Sequence, residues 1–178
     1  IETQDFAVFD QADIRALSPS QLSLLKPIQI AALSTAQWDA FTTAQIAALK
    51  PAQLAAIESQ DFLALGTDGI AALNASAVAA LTTSQLPVLD VRSLNSTQLI
   101  ALKSQQLVAL STGQWDALNT AQIASLTSTQ IGSIETADLA ILAPGDVASL
   151  SATQIGGLTA EQIVALSTAQ WQAMSTAQ

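Results

Sequence analysis

The chain has 178 residues, of which half are hydrophobic and only 4% aromatic, with 5 basic against 14 acidic side chains and a net charge of −9. Such a surface lacks the Lys and Arg that neutralise phosphates, so it argues against nucleic acid and anionic membranes as partners. With no Cys and no His, disulfides, Cys or His metal sites, thiol nucleophiles and the commonest general base are all excluded. No uninterrupted apolar run reaches the ~18 residues of a membrane span, so no membrane insertion is expected.

In chain order the sequence is a tandem repeat of eight residues. The unit is plainest at Thr42–Leu49, TTAQIAAL, whose residues define positions 1 to 8. Octads run from Glu2 to Leu89, eleven in all. A five-residue piece follows, residues 90–94. Ten more octads run from Asn95 to Met174, which makes 21. Position 8 is large and apolar throughout, as in Phe9, Leu17, Leu33, Leu118 and Met174. Position 5 is equally strict, as in Phe6, Ile14, Trp38, Ile123 and Trp171. Position 7 is mostly Ala, Ser or Gly. Position 4 is Gln or Asp except at Gly69 and Ala77.

A longer duplication overlies the octads. Residues 18–94 match residues 95–171, so that Lys26 meets Lys103, Trp38 meets Trp115, and Asp61 meets Asp138. The piece 90–94 reads as a trimmed copy of the octad Asp10–Leu17. The chain begins at Ile1 without a recognisable signal peptide and stops at Ser175–Gln178, half of another octad, so both ends read as cuts in something longer. The expected organisation is one repeat array over residues 1–178.

The period decides the secondary structure. In a strand, positions 5 and 8 would point to opposite faces, and Ala, Gln and Leu are poor strand residues. In one continuous helix, eight residues at ~100° each overshoot two turns by about 80°. The apolar pair would then circle the rod and never form a stripe. Short helices fit, because positions 5 and 8 are i and i+3 on one face. Pro19, Pro27, Pro51 and Pro144 occupy position 2, the first helical residue, where a missing N–H costs nothing. Position 1 is the N-cap, and Gln at position 4 closes a capping box, as in Ser34/Gln37 and Thr42/Gln45.

Each helix is expected to span positions 2 to 8, about 10 Å, too short to survive alone. The fold class is therefore all-α: a tandem octapeptide-repeat α-solenoid of very short capped helices, stabilised by stacking of neighbours.

Chemistry-bearing residues are sparse. Asp5, Asp13, Asp61, Asp138 and Asp146 stand at position 4, where an acid favours the helix N-terminus. Glu2/Asp5, Glu58/Asp61 and Glu135/Asp138 are the best local candidates for calcium, which needs six to eight oxygens; capping explains these acids better, and no metal or cofactor is expected. Trp38, Trp115 and Trp171 hold core position 5, with each indole N–H expected on a carbonyl. Lys26, Lys50 and Lys103 are exposed cap residues. No His is present to activate a Ser, and no phosphate-binding loop occurs. The Thr row at position 2 (Thr35, Thr43, Thr83, Thr112, Thr120, Thr168) resembles a flat ice-binding face but is interrupted by Pro, Ser and Ala; helix entry accounts for it. No catalytic site is expected, and the chain reads as non-enzymatic.

The units at Leu33–Phe41, Phe41–Leu49 and Leu110–Leu118 resemble octapeptide arrays of the LTTAQIAA type in very large exported bacterial proteins, which are similar to secreted adhesins and calcium-binding repeat proteins. Leu81–Gln85 and Leu126–Gln130 also resemble the LTxxQ motif of periplasmic stress chaperones, although here the tetrad is the capping box read from the preceding Leu. The first resemblance implies a structural spacer, stalk or adhesive segment at the cell surface or outside the cell. The alternative is a solenoid scaffold for a peptide, protein or glycan. Open array ends also allow self-association.

Overall fold

The computed structural model describes residues 2–178. It contains nineteen α-helices and four 3-10 helices, with no strand among the described residues. Nearly every octad makes one helix of four to six residues, for example Thr43–Ala47, Thr120–Ser125 and Thr168–Ala173. No helix among the described residues is long and apolar enough to cross a membrane.

Each helix starts as its octad predicts. Ser34, Thr42, Asn119 and Ser167 are extended N-caps whose side chains accept from the backbone N–H at position 4. The Gln at position 4 returns the bond: Oε1 of Gln45 accepts from Thr42 N at 2.8 Å, and Oε1 of Gln122 from Asn119 N at 2.9 Å. The helices end earlier than expected, at positions 5 to 7. Position 8 still donates its N–H to the carbonyl of position 5, as in Leu118 to Trp115. Its ψ then swings to the extended region, 136° at Leu118, and Asn119 follows at ψ 162°. Two extended residues between helices let the chain change direction every eight residues, which a helix through position 8 would forbid.

Three departures follow from local sequence. Pro87 at position 6 lacks the N–H an α-turn needs, and its octad closes as a 3-10 helix, Leu86–Val88. Gly66 replaces the capping residue of its octad and adopts φ 59°, which an L side chain rarely tolerates. The first octad is also 3-10, Thr3–Val8.

The described residues form two compact units, one up to Leu94 and the other Asn95–Gln178, divided where the octads resume. Within each unit a helix packs against the one three octads later. Pro19–Leu22 lies on Thr43–Ala47 in the first unit, and Thr112–Ala117 lies on Thr136–Ile141 in the second. Positions 5 and 8 form the core: Ile46, Leu49, Leu54 and Ile57 in one unit, and Ile123, Leu126, Ile131 and Ile134 in the other, are all buried. Aromatic pairs at positions 5 and 8 pack within their own octads: Trp38 and Phe41 stack with ring centroids 4.5 Å apart, and Phe6 and Phe9 meet tilted at 5.4 Å.

Small residues let the turns approach. A Cβ added to Gly157 at position 7 would lie 2.6 Å from the Ser128 carbonyl oxygen, and one added to Gly132 would lie 2.6 Å from that of Gly157.

The trimmed piece keeps only what the core requires. Val91 and Leu94, its equivalents of positions 5 and 8, are buried on a 3-10 turn, Val91–Ser93. Asp90 caps this turn by accepting from Arg92 N. The Arg92 guanidinium donates to Asp90 at 2.9 Å and holds that carboxyl below its ordinary value.

This layout ranks two substitutions. Leu118→Ala, which empties a buried position 8, should cost about 2–5 kcal/mol through lost transfer energy plus a cavity. Ala121→Ser, at an exposed position 3, should cost less than about 0.5 kcal/mol. Urea melts followed by circular dichroism check both, and equal costs would overturn the face assignment.

Candidate functional site

The repeated feature with the most chemistry is the glutamine at position 4. Fourteen of the 21 octads carry Gln there and none carries Glu, although a capping box accepts either. The structure supplies the reason. The amide oxygen is spent on the cap of its own helix, while Nε2 crosses to the preceding turn and donates to two carbonyls, four octads back.

In the first unit Gln45 Nε2 donates to the Ile14 and Leu17 carbonyls at 2.7 Å each, and Gln53 to Leu22 and Leu25 at 2.8 Å each. In the second, Gln162 donates to Ile131 and Ile134 at 2.9 and 2.7 Å, and Gln170 to Leu139 and Leu142 at 2.9 and 2.8 Å. Gln37, Gln85 and Gln130 repeat the geometry. The acceptors are the carbonyl of position 8, left without a helical partner where each short helix ends, and that of position 5, which also accepts from the N–H of position 8. A turn therefore closes after between three and four helices, since packing neighbours are three octads apart and bonded neighbours four.

Where position 4 departs from Gln, another group takes over. Asn74 caps Ala77 through Oδ1, and its Nδ2 donates to the Ala47 and Leu49 carbonyls at 3.1 Å, reaching the oxygen that a Gln in place of Ala77 would have met. At Gly69 an added Cβ would lie 2.9 Å from Ile46 Cδ1, so a core side chain fills the space. Asp61 and Asp146 accept instead from the hydroxyls of Thr35 and Thr120, three octads earlier, the second at 2.6 Å. The Thr row is thus partly a set of donors to carboxylates, beyond its helix-entry role.

The acidic pairs do not converge. Asp61 and Asp138 are buried while Glu58 and Glu135 are exposed. Asp5 and Asp13 lie exposed and cap through bonds to Glu2 N and Asp10 N at 2.6 and 3.1 Å. Among the described residues no three acids gather into a group that could hold a metal ion.

Trp38 and Trp115 fill the core as expected, but the buried Trp115 Nε1 finds no hydrogen-bond partner among the described residues, contrary to the expected carbonyl. Trp171 departs further and is 48% exposed, because no later turn of the chain lies over its octad. Lys26, Lys50 and Lys103 are exposed. Two surface depressions lie along the repeat. One is lined by Phe6, Leu17, Gln21, Leu24, Leu25 and Lys26 beside Gln29, and another by Thr136, Ala160, Glu161, Val164 and Ala165.

The glutamine ladder makes a sharp prediction. Gln130→Glu keeps the capping acceptor but sets a carboxylate against the Leu99 and Leu102 carbonyls, so it should cost at least about 2 kcal/mol at pH 7. The folded state must then favour the protonated acid, which can donate, and so binds more protons than the unfolded chain. The deficit relative to Gln130 should therefore shrink as pH falls into the carboxylate range and grow as pH rises. Urea melts at pH 7 and pH 4.5 read the difference; a deficit that does not vary with pH would show that the carbonyls do not need a donor there.

A model of the ALTTAQ repeat matches residues 1–35, 21–51, 54–91, 101–134 and 131–168. No curated protein matches the chain. The matched segments span most of the sequence, with Gln37, Gln45, Gln85, Gln130 and Gln162 inside them, and the chain belongs to the ALTTAQ repeat family.

Proposed function

We propose that this chain is a non-enzymatic structural segment, a spacer or stalk in a larger exported bacterial protein, standing outside the cell or on its surface. One observation carries the reading. The polar groups that recur most often, the Ser, Thr or Asn cap and the position 4 glutamine of fourteen octads, are consumed by the repeat's own helices and turns. What faces solvent at positions 3 and 6 changes from octad to octad, from small residues such as Ala36, Ala44 and Ala121 to charged ones such as Asp39 and Asp116 and apolar ones such as Leu63 and Val164. A segment selected for span needs such interchangeable surfaces, and repeats stabilised by nearest neighbours lengthen without redesign. An adhesive role is the finer variant. A scaffold for a peptide, protein or glycan is the second reading, favoured by exposed apolar side chains such as Val108 and Val164.

The test tethers the 178-residue chain to a surface with a ligand-binding tag at its free end. A spacer raises capture of a bulky ligand over the tag alone, and exchanging the residues at positions 3 and 6 between octads leaves capture unchanged. Retention of peptides or glycans without the tag, lost on that exchange, would sink the spacer reading in favour of the scaffold. Millimolar calcium should also shift the melting temperature by less than the ~2–4 °C that 1 kcal/mol produces in a chain this size; a rise above roughly 10 °C would mean that the acids bind the ion in the native state.

A further inference from the structure

The octad rule lapses at the same place in both copies of the duplication. Residues 58–73 and 135–150 are equivalent pairs of octads, and position 4 holds Asp61 and Gly69 in one pair and Asp138 and Asp146 in the other. No ladder amide therefore leaves these octads for the turn four octads earlier. The position 8 carbonyls that would receive one, those of Leu33, Phe41, Leu110 and Leu118, accept no hydrogen bond among the described residues, whereas those of Leu17 and Leu25 each accept from a glutamine. The local device lapses together with the long-range one. Glu58 and Glu135 make no side-chain cap bond, Ala143 has no oxygen to make one, and Gly66 has no side chain. Hydroxyl bonds from Thr35 to Asp61 and from Thr120 to Asp146 stand in place of the amides.

We propose that these two patches are built-in opening points, at which each unit parts from its own preceding turn while its glutamine-laddered turns stay folded. Local opening is easiest where a segment has the fewest bonds to lose. In a laddered turn the motion breaks two amide bonds per octad, as at Gln45 and Gln53, and disturbs a capped helix start. In the patches it breaks neither, and it returns to water carbonyls that the closed turn leaves without a donor, which is a gain where the residue is buried, as Leu33, Leu110 and Leu118 are. The apolar pairs themselves are complete: Phe62, Leu65, Ile70 and Leu73 are buried in one patch, and Leu139, Leu142, Val147 and Leu150 in the other. Each patch therefore closes as a packed turn at rest and yields before the others under tension or dilute denaturant. The inference rests on the bond pattern, independently of the spacer reading.

Native-state hydrogen exchange of the 178-residue chain, read by mass spectrometry and corrected for intrinsic rates, tests the proposal. Amides of residues 58–73 and 135–150 should exchange about tenfold or more faster than those of residues 42–57 and 127–134, where Gln45, Gln53 and Gln130 hold the ladder. Asp138→Gln and Asp146→Gln together reinstate the amides in one patch alone. That double variant should slow exchange of residues 135–150 about tenfold or more and leave residues 58–73 as they were. The reverse variant, Gln130→Ala, should speed exchange of residues 127–134 to the level of the natural patches, and it decides the matter if the double variant does not fold. Circular dichroism checks the fold of each. Pulled from its ends in single-molecule experiments, the natural chain should show two short early extensions, and the double variant one. A uniform exchange profile, a folded double variant with unchanged exchange at residues 135–150, or a pulling trace without early steps each overturns the proposal.

Discussion

A helix of four to six residues cannot hold itself in water, because its terminal N–H and C=O groups outnumber the bonds it makes internally. Everything in this molecule depends on how those orphaned groups are satisfied. One side chain does most of it: the position 4 glutamine accepts from its own cap with Oε1 and donates to two carbonyls of the previous turn with Nε2. A local capping device and a long-range tie are thereby the same residue. Each such bond contributes roughly 0.5–1.5 kcal/mol net, but leaving the buried carbonyls dry would cost more than making the bonds gains. The ladder therefore specifies how the turns meet, while burial of positions 5 and 8 supplies most of the driving force.

The exceptions support the same account. Where Ala77 removes the amide, Asn74 supplies one from position 1. Where Asp61 or Asp146 replaces it, the carboxylate itself is satisfied by a Thr hydroxyl three octads earlier. Where the octad shrinks to five residues, the apolar pair survives as Val91 and Leu94 while positions 2 to 4 are dispensed with. What is kept in every case is the apolar pair, while the group at position 4 and its partner vary.

This economy also bears on function. A turn whose donors face one way and whose acceptors face the other is directional, and its two ends differ in chemistry as well as in position. Positions 3 and 6 differ from octad to octad while positions 5 and 8 stay large and apolar.

Much of the architecture was legible in the residues alone. The eight-residue period, the i and i+3 apolar pair, proline at position 2 and Ser or Thr at position 1 all act within one octad, where propensity and capping decide the outcome, and they determined a short capped helix with its core face. The absence of Cys, His and basic clusters bounded the chemistry in the same way. The helix ends, the number of helices per turn and the second role of the glutamine were decided by tertiary structure. They depend on residues 28 and 31 apart, as Gln45 is from Leu17 and Ile14, and no local preference relates such positions. The preference for Gln over Glu at position 4 carried the signal, because a capping box alone would accept both. Trp171 shows the same division: its octad marks it as core, yet only the stacking of turns decides which core positions are covered, and the last turn lies open on one side.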